Sequence, residues 1–214
     1  MKQNLLGTVP STHLEELIYA DGYHFIAGVD EAGRGPLAGP VVAAACVIPR
    51  GLIIEGINDS KKLTPKQREE LYHLLVNHPD IIFGLGIVDH KRIDEINILQ
   101  ASLEAMAIAV KNLNTPPDFL LIDGNQLPPV QVKAKTVIKG DSLSQSIGAA
   151  SILAKYTRDE MMVELHEKWP RYGFIKHKGY GTKMHRQAIA EHGPCPIHRR
   201  SFEPIKSFKI EEIK

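Results

Sequence analysis

Residues 25–48 read FIAGVDEAGRGPLAGPVVAAACVI and hold two apolar runs on either side of a glycine- and proline-rich turn. Phe25 to Val29 and Pro40 to Ile48 are rich in β-branched and small apolar residues and are bounded by turn residues, which is typical of buried strands. An acidic pair, Asp30-Glu31, closes the first run. The segment therefore predicts two buried strands, with carboxylates where the chain leaves the first of them.

The rest of the chain alternates strand-like and helix-like segments. Short β-rich runs lie at residues 81–88, 119–122 and 135–138, and helical patterns at 65–76, 99–113, 142–168 and 183–192, the second beyond a first turn around 92–96. Thr64 and Gln67 form a capping box with Pro65 at the first helical position, and Gly193 stops the last helix. Early strands with hairpin spacing, followed by alternating helices, predict a mixed sheet flanked by helices.

The composition is that of a globular protein, because 43% of the 214 residues are hydrophobic, which is enough for a sizeable core. No apolar run reaches the roughly 18–20 residues of a membrane span, and residues 1–16 lack the apolar run of a signal peptide. Two cysteines, Cys46 and Cys195, are too few for a disulfide framework. We therefore expect a cytoplasmic protein that has no membrane segment.

Charge is distributed unevenly along the chain. Residues 1–130 carry 10 Lys and Arg against 16 Asp and Glu, a balance of −6, whereas residues 131–214 carry 16 against 9, a balance of +7. A basic half beside an acidic half suits a polyanion whose phosphate is approached through metal ions. Two solvated faces of opposite sign would give the same totals.

Four acidic residues stand where the chain leaves a strand or enters a helix: Asp30, Glu31, Asp123 and Asp141. Carboxylates at strand ends bind Mg²⁺ or Mn²⁺ and leave coordination positions for water and phosphate. Two such ions about 4 Å apart can activate a water and stabilise the leaving oxygen of a phosphodiester.

Each of these acids also has a purely structural interpretation. Asp30-Glu31 could be an exposed strand end, Asp123-Gly124 is a common turn dipeptide, and Asp141 is a suitable N-cap for the long helix. Adjacent residues of a regular strand point to opposite faces, so Asp30 and Glu31 can share an ion only if the strand bends there.

Three other segments could contact a nucleic acid. Gly33-Arg34-Gly35 lets the backbone approach a sugar or phosphate closely, Lys61 and Lys62 precede a helix, and Tyr180 stands between glycines in basic surroundings, as a stacking platform would. A tight turn, solvated lysines and a packed tyrosine are the corresponding structural interpretations. His192, Cys195 and His198 offer only three soft ligands, which argues against a zinc site.

Taken together, the segments resemble ribonuclease HII. DEAGRGPLAGPVVAA, NDSKKL, IDGN, KGD, SIGAASILAKYTRD, YGFIKHKGYGT and HRRSF follow one another between residues 30 and 202. The resemblance implies a ribonuclease H-like fold, a five-stranded mixed sheet flanked by helices with a C-terminal helical extension. It also implies an N-terminal extension at residues 1–24, a catalytic domain at 25–170, and a basic helical extension at 171–214 that completes the substrate cleft.

The resemblance further implies an endoribonuclease that cuts the RNA strand of RNA–DNA hybrids. It would nick 5′ of ribonucleotides embedded in duplex DNA and leave 5′-phosphate and 3′-hydroxyl ends. Asp30, Glu31, Asp123 and Asp141 would hold two Mn²⁺ or Mg²⁺ ions. The Gly33-Arg34-Gly35 backbone would sense the ribose 2′-hydroxyl, and Tyr180 would contact the sugar at the RNA–DNA junction.

We expect a monomer that has no small-molecule cofactor. Two other functions stay open at this point, which are a related nuclease acting on DNA and a catalytically silent nucleic-acid-binding module.

Overall fold

A computed structural model describes residues 11–57, 60 and 62–208 and contains one mixed five-stranded sheet. The strands are β1 (Ile26–Ala32), β2 (Val41–Val47), β3 (Ile82–Val88), β4 (Phe119–Asp123) and β5 (Lys133–Val137). Their order across the sheet is β3-β2-β1-β4-β5. β1 and β3 are antiparallel to β2, while β4 is parallel to both β1 and β5. The expected mixed sheet of five strands is therefore confirmed.

Helices cover the sheet and extend the chain at both ends. They are α1 (His13–Ala20), α2 (Pro65–Asn77), α3 (His90–Lys111), α4 (Gln145–Lys168), α5 (Phe174–His177) and α6 (Lys183–His192). Two short 3₁₀ turns, Gly140–Ser142 and Pro170–Tyr172, flank α4. Within the described residues no helix is both long and apolar enough to cross a membrane.

The central strands are buried on both faces because a long helix packs on each side. Ala43 and Ala45 of β2 face the cluster that contains α3, whereas Ala44 and Cys46 face the cluster that contains α4. Gly28 lies against the start of α4, where a Cβ would overlap the backbone of that helix. The small strand residues thus let both helices approach the sheet closely.

Several local predictions are confirmed by the structure. The Thr64 and Gln67 side chains form the reciprocal capping box, with Pro65 at the start of α2. The two predicted parts of α3 form one helix with a non-helical residue, Asn97, between them. α6 begins and ends as predicted, and Gly193 follows its last residue.

Two predicted boundaries that bear on the site were wrong. β1 does not end before the acidic pair but runs on to Ala32, because its pairing with β2 continues through Ala32–Val42. α4 begins at Gln145 rather than at Ser142, because the side chain of Ser144 is its N-cap and accepts a hydrogen bond from the Ile147 amide.

The N-terminal helix α1 was not predicted, and it contributes a buried carboxylate to the start of α4. Glu15 Oε1 accepts hydrogen bonds from Ser144 Oγ at 2.6 Å, Ser146 Oγ at 2.7 Å and the Ser146 amide at 3.1 Å. Because these donors are buried, no water replaces Glu15 if it is lost. Glu15 therefore fixes the N-terminus of α4 from outside the sheet.

We expect Glu15→Ala to lower the free energy of unfolding by about 2–4 kcal/mol, because it leaves buried donors without a partner. The matched control is Glu16→Ala, since Glu16 is the next residue and forms an ion pair with Arg50 on the surface. Such a surface pair contributes about 0–1 kcal/mol. Urea denaturation of both variants measures the difference, and equal losses would contradict the role given to Glu15.

Candidate active site

Three of the four predicted carboxylates meet at one end of the sheet. Asp30 and Asp123 follow the last registered β1–β4 pair, Val29–Ile122, so they leave neighbouring parallel strands at the same edge. Glu31 and Asp123 both line a small cavity of about 50 Å³. The strand topology therefore brings together acids that are 93 residues apart in sequence.

Asp30 is the most constrained of these acids, with a side chain that is only 5% exposed. Its Oδ1 accepts a hydrogen bond from the Glu31 amide at 2.7 Å, and Ser151 of α4 donates a second one. Burial, and then the negative charges of Glu31 and Asp123, hold the pKa of Asp30 well above its ordinary value. A cation at this position would offset both the cost of burying the negative charge of Asp30 and its repulsion by Glu31 and Asp123.

Asp30 and Glu31 lie on opposite faces of the sheet, and no bulge interrupts the strand between them. Asp30 bonds to Ser151 of α4, whereas Glu31 lines the cavity that residues of α3 also line. The β1–β2 register is continuous through both residues. Glu31 lies beyond the end of β4, where the sheet edge is open, so the two side chains still affect each other electrostatically.

Asp141 lies in the 3₁₀ turn that precedes α4 and is 7% exposed. Its interpretation as the N-cap of the long helix was wrong, because Ser144 takes that role. The turn is hydrogen-bonded to the end of the sheet that carries Asp30, Glu31 and Asp123, the carboxylate edge, since the Gly140 amide donates to Asp123 Oδ1 at 2.7 Å. Asp141 therefore follows directly after a residue that is bonded to Asp123.

The donor set at this edge fits a hard divalent cation that keeps water and substrate oxygens as ligands. Its candidate ligands are all carboxylates, as Mg²⁺ and Mn²⁺ prefer. Among the residues that the structure describes, no three His, Cys, Asp or Glu side chains stand together closely enough to hold a metal ion without rearranging. This also leaves Cys195 and His198 without support as a zinc site.

The Gly33-Arg34-Gly35 turn is anchored by a buried arginine that sequence reasoning missed. Arg199 donates from Nη2 to the Gly33 carbonyl at 2.6 Å and from Nη1 to the Arg34 carbonyl at 2.9 Å. Gly33 has a φ of +100°, which favours glycine. The turn is thus held by a residue 165 positions further along the chain.

A second buried arginine, Arg158 of α4, holds the same segment from the other side. It donates from Nε to the Pro40 carbonyl at 2.9 Å and from Nη1 to the Lys178 carbonyl at 3.0 Å. Burial lowers the pKa of Arg158 to about 10 and that of Arg199 to about 9, so both remain charged at neutral pH. Arg158 lies seven residues after Ser151 and so on the same face of the predicted helix, which is a signal that the sequence contains. Arg199 lies in a loop and has no such periodic signal.

Tyr180 lies beside the glycine turn. A Cβ on Gly35 would stand 3.7 Å from Tyr180 Cε1, which is ordinary contact distance. The tyrosine is 41% exposed, and the cations of Lys155 and Arg158 each lie 5.9 Å from its ring centroid. Tyr180 is therefore not a packed core residue, and it forms one surface with the turn that follows the acidic pair.

The predicted lysines are only partly covered by the structure, because Lys61 lies outside the described residues. Lys62 is exposed in the loop before α2. That loop is tied to the site, since Arg68 donates to the carbonyls of Ser60 and Leu63, and Ser60 Oγ lies 2.8 Å from Ser151 Oγ. Ser151 in turn bonds to Asp30.

Known proteins match the chain over most of its length. The family model described as Ribonuclease HII matches residues 27–205. The Ribonuclease HII of Chlamydia caviae is 59% identical over 195 residues, which are 91% of this chain and 92% of that protein.

Solved structures match the fold as well. The crystal structure of the ribonuclease H2 from Pyrococcus horikoshii OT3 superposes with a TM-score of 0.71 at 31% identity, covering 86% of this chain and 96% of that one. Bst-RNase HIII, crystallised in complex with Mn²⁺, shares the fold with a TM-score of 0.63 at 17% identity, over 79% of this chain and 70% of that one.

The electrostatics of Asp30 predict a stability effect in protein stripped of divalent metal. A carboxyl whose pKa is raised by folding opposes folding once the unfolded chain ionises, so its cost grows as the pH rises from about 4. Asp30→Asn keeps an acceptor for the Glu31 amide and removes the charge. We expect a higher free energy of unfolding for Asp30→Asn at pH 7, with the advantage shrinking towards pH 4.

Thermal denaturation with and without Mn²⁺ provides the measurement. Mn²⁺ should raise the melting temperature of the native chain and leave that of Asp30→Asn almost unchanged. Asp80→Asn, at an exposed turn position, is the matched control and should behave like the native chain. A destabilised Asp30→Asn that still responds fully to Mn²⁺ would refute this account of the site.

Proposed function

The chain belongs to the ribonuclease HII family, and we propose that it hydrolyses the RNA strand of RNA–DNA hybrids and also nicks duplex DNA 5′ of a single embedded ribonucleotide. The products would carry a 5′-phosphate and a 3′-hydroxyl. The family is one of metal-dependent endoribonucleases that act on RNA–DNA hybrids.

The observation that carries the proposal is the adjacency of a carboxylate edge and a surface suited to a ribose. The turn that contacts Tyr180 begins two residues after Glu31, so a sugar lying against Tyr180 would present its phosphate near the acids. RNA differs from DNA at that sugar by its 2′-hydroxyl, which a close backbone can detect. A nuclease acting on DNA alone would have no use for this surface.

Asp30, Glu31, Asp123 and Asp141 would hold two Mn²⁺ or Mg²⁺ ions. When bound, such ions supply a water of lowered pKa and stabilise the leaving oxygen. The protein's own contribution is to keep these acids together at a sheet edge. Ser151 and the Gly140 amide orient Asp30 and Asp123 by hydrogen bonds from the side away from the substrate.

The glycine turn would read the 2′-hydroxyl through its amides. Arg199 already occupies the carbonyls of Gly33 and Arg34, which points to the N–H groups as the donors that meet the hydroxyl oxygen. Tyr180 would support the junction sugar with its exposed ring face. Lys61 and Lys62 would meet the phosphates that flank the cut.

We further propose the division of the chain expected from its sequence, with residues 25–170 as the catalytic domain and residues 171–214 closing one side of the cleft. Residues 1–24 would form the extension that includes α1. The protein would act as a monomer without a small-molecule cofactor. Both cysteines are free and buried, which fits the reducing cytoplasm.

Cleavage of three matched duplexes tests the function. They are an all-DNA duplex, a duplex with one ribonucleotide, and an RNA–DNA hybrid of the same sequence, each with Mn²⁺ or Mg²⁺. We expect cutting of the last two, with the single-ribonucleotide duplex nicked on the 5′ side of the ribonucleotide. Equal cutting of the all-DNA duplex would indicate a DNA nuclease, and binding without cutting would indicate a silent binding module.

The role of Asp141 can be separated from stability. Because Ser144 caps α4, Asp141→Asn should unfold at nearly the native temperature and still bind the hybrid. Losing one charged group that stabilises the transition state should lower kcat by about 100-fold or more. Asp80→Asn serves as the control with unchanged kcat, and an Asp141→Asn enzyme of native kcat would remove Asp141 from the catalytic set.

A further inference from the structure

Three buried histidines, His177, His185 and His198, lie directly behind Tyr180. The rings of His177 and His185 stack with centroids 4.4 Å apart and an interplanar angle of 17°. His185 Nε2 and His198 Nε2 face each other at 3.0 Å. His185 and His198 have no exposed surface at all, and neither has a place in the proposed reaction.

The hydrogen bonds of this group determine where each proton lies. His185 Nδ1 is 2.9 Å from the Tyr180 carbonyl, which can only accept, so His185 carries its proton on Nδ1. Its Nε2 must then accept, and His198 Nε2–H is the donor. His198 Nδ1 is left as an acceptor and receives the Cys195 amide at 2.9 Å. This arrangement of protons satisfies these three contacts. Cys195 Sγ lies 3.1 Å from the same Nδ1, and the Cys195 carbonyl, 3.2 Å from it, receives no hydrogen bond from the ring in this arrangement.

The position of the proton on His177 can be deduced from its hydrogen bonds in the same way. Its Nδ1 accepts from the Gly179 amide at 3.3 Å, so its Nε2–H donates to the Tyr172 carbonyl at 2.7 Å. Burial lowers the pKa of His185 to about 4 and that of His198 to about 3. The deduced arrangement, in which both rings are neutral, is therefore the one present at neutral pH.

The backbone contacts of Tyr180 explain why these histidines matter for its ring. The Tyr180 amide donates to the His177 carbonyl at 2.8 Å, and its own carbonyl receives both His185 Nδ1–H and the Thr182 amide. The ring is half-exposed and lies beside Gly35, with the cations of Lys155 and Arg158 each 5.9 Å from its centroid. The backbone hydrogen bonds thus fix the position from which the ring projects towards the glycine turn.

We propose that His185 and His198 are positioning residues for Tyr180. His198 selects the tautomer of His185, and His185 holds the Tyr180 carbonyl so that the ring stands beside the glycine turn and meets the junction sugar. The inference rests on the proposed function, because it requires that Tyr180 contact the substrate.

Two substitutions of His185 form a matched pair. His185→Asn places an amide N–H where Nδ1–H stood and keeps the bond to the Tyr180 carbonyl, whereas His185→Gln places its amide near the position of Nε2 and loses that bond. We expect His185→Asn to keep near-native kcat/KM on the single-ribonucleotide duplex. His185→Gln should lose about 10- to 100-fold, the effect of a small misplacement of a substrate-contacting group.

A double-mutant cycle separates positioning from a general loss of structure. If His185 acts through Tyr180, then Tyr180→Ala combined with His185→Gln should be no worse than Tyr180→Ala alone. Effects that multiply would overturn the inference. Native activity of Tyr180→Ala alone would instead refute the substrate contact in the proposed function, so the two failures are distinguishable.

The proton arrangement itself can be observed without turnover. In ¹⁵N-labelled full-length protein at pH 7, long-range ¹H–¹⁵N spectra should report the Nδ1–H tautomer for His185 and the Nε2–H tautomer for His198. The opposite tautomers, or a charged ring at either position, would overturn the inference even where a variant fails to fold.

Discussion

Two buried guanidinium groups, those of Arg158 and Arg199, support the arrangement on which the site depends. Arg158 makes three hydrogen bonds and Arg199 makes four, all to backbone carbonyls between residues 33 and 40 or at Lys178. Burying a charge is costly unless its donors are satisfied. Here the cost is offset by hydrogen bonds that hold an irregular loop, which has only an isolated β-bridge between Ala38 and His198 among the described residues.

The acidic and basic halves of the chain meet where this loop passes between them. Burial and mutual repulsion leave the carboxylates of β1 and β4 in need of a cation. The arginines from the basic half remain behind the loop and bond to its carbonyls rather than to the acids. Arg34, the loop's own arginine, pairs with Glu31 at 3.3 Å. The protein therefore offsets the charge of Glu31 at this edge, while the hydrogen bonds of the two buried arginines go to backbone carbonyls.

The sequence predicted those parts of the fold that depend on near neighbours, which include the strands and the capping box of α2. Asp141, Ser142 and Ser144 are all good N-caps by type, so local preference could not select among them. The selection is made by Glu15, 129 residues away from Ser144. Arg158 and Arg199 were missed for the same reason, since their acceptors are backbone carbonyls more than 100 residues distant, apart from Lys178. The four acids were predicted as metal ligands because each stands at the end of a recognisable element.

The distance in sequence between Arg199 and the turn it fastens also has a consequence for the order of synthesis. A chain emerging from the ribosome presents the glycine turn 165 residues before it presents Arg199. Domains tend to fold from the N-terminal end first during translation. The sheet and its helices can therefore assemble while the loop beside the carboxylates still lacks its fastening. The glycine turn is held in place only after Arg199 has been synthesised.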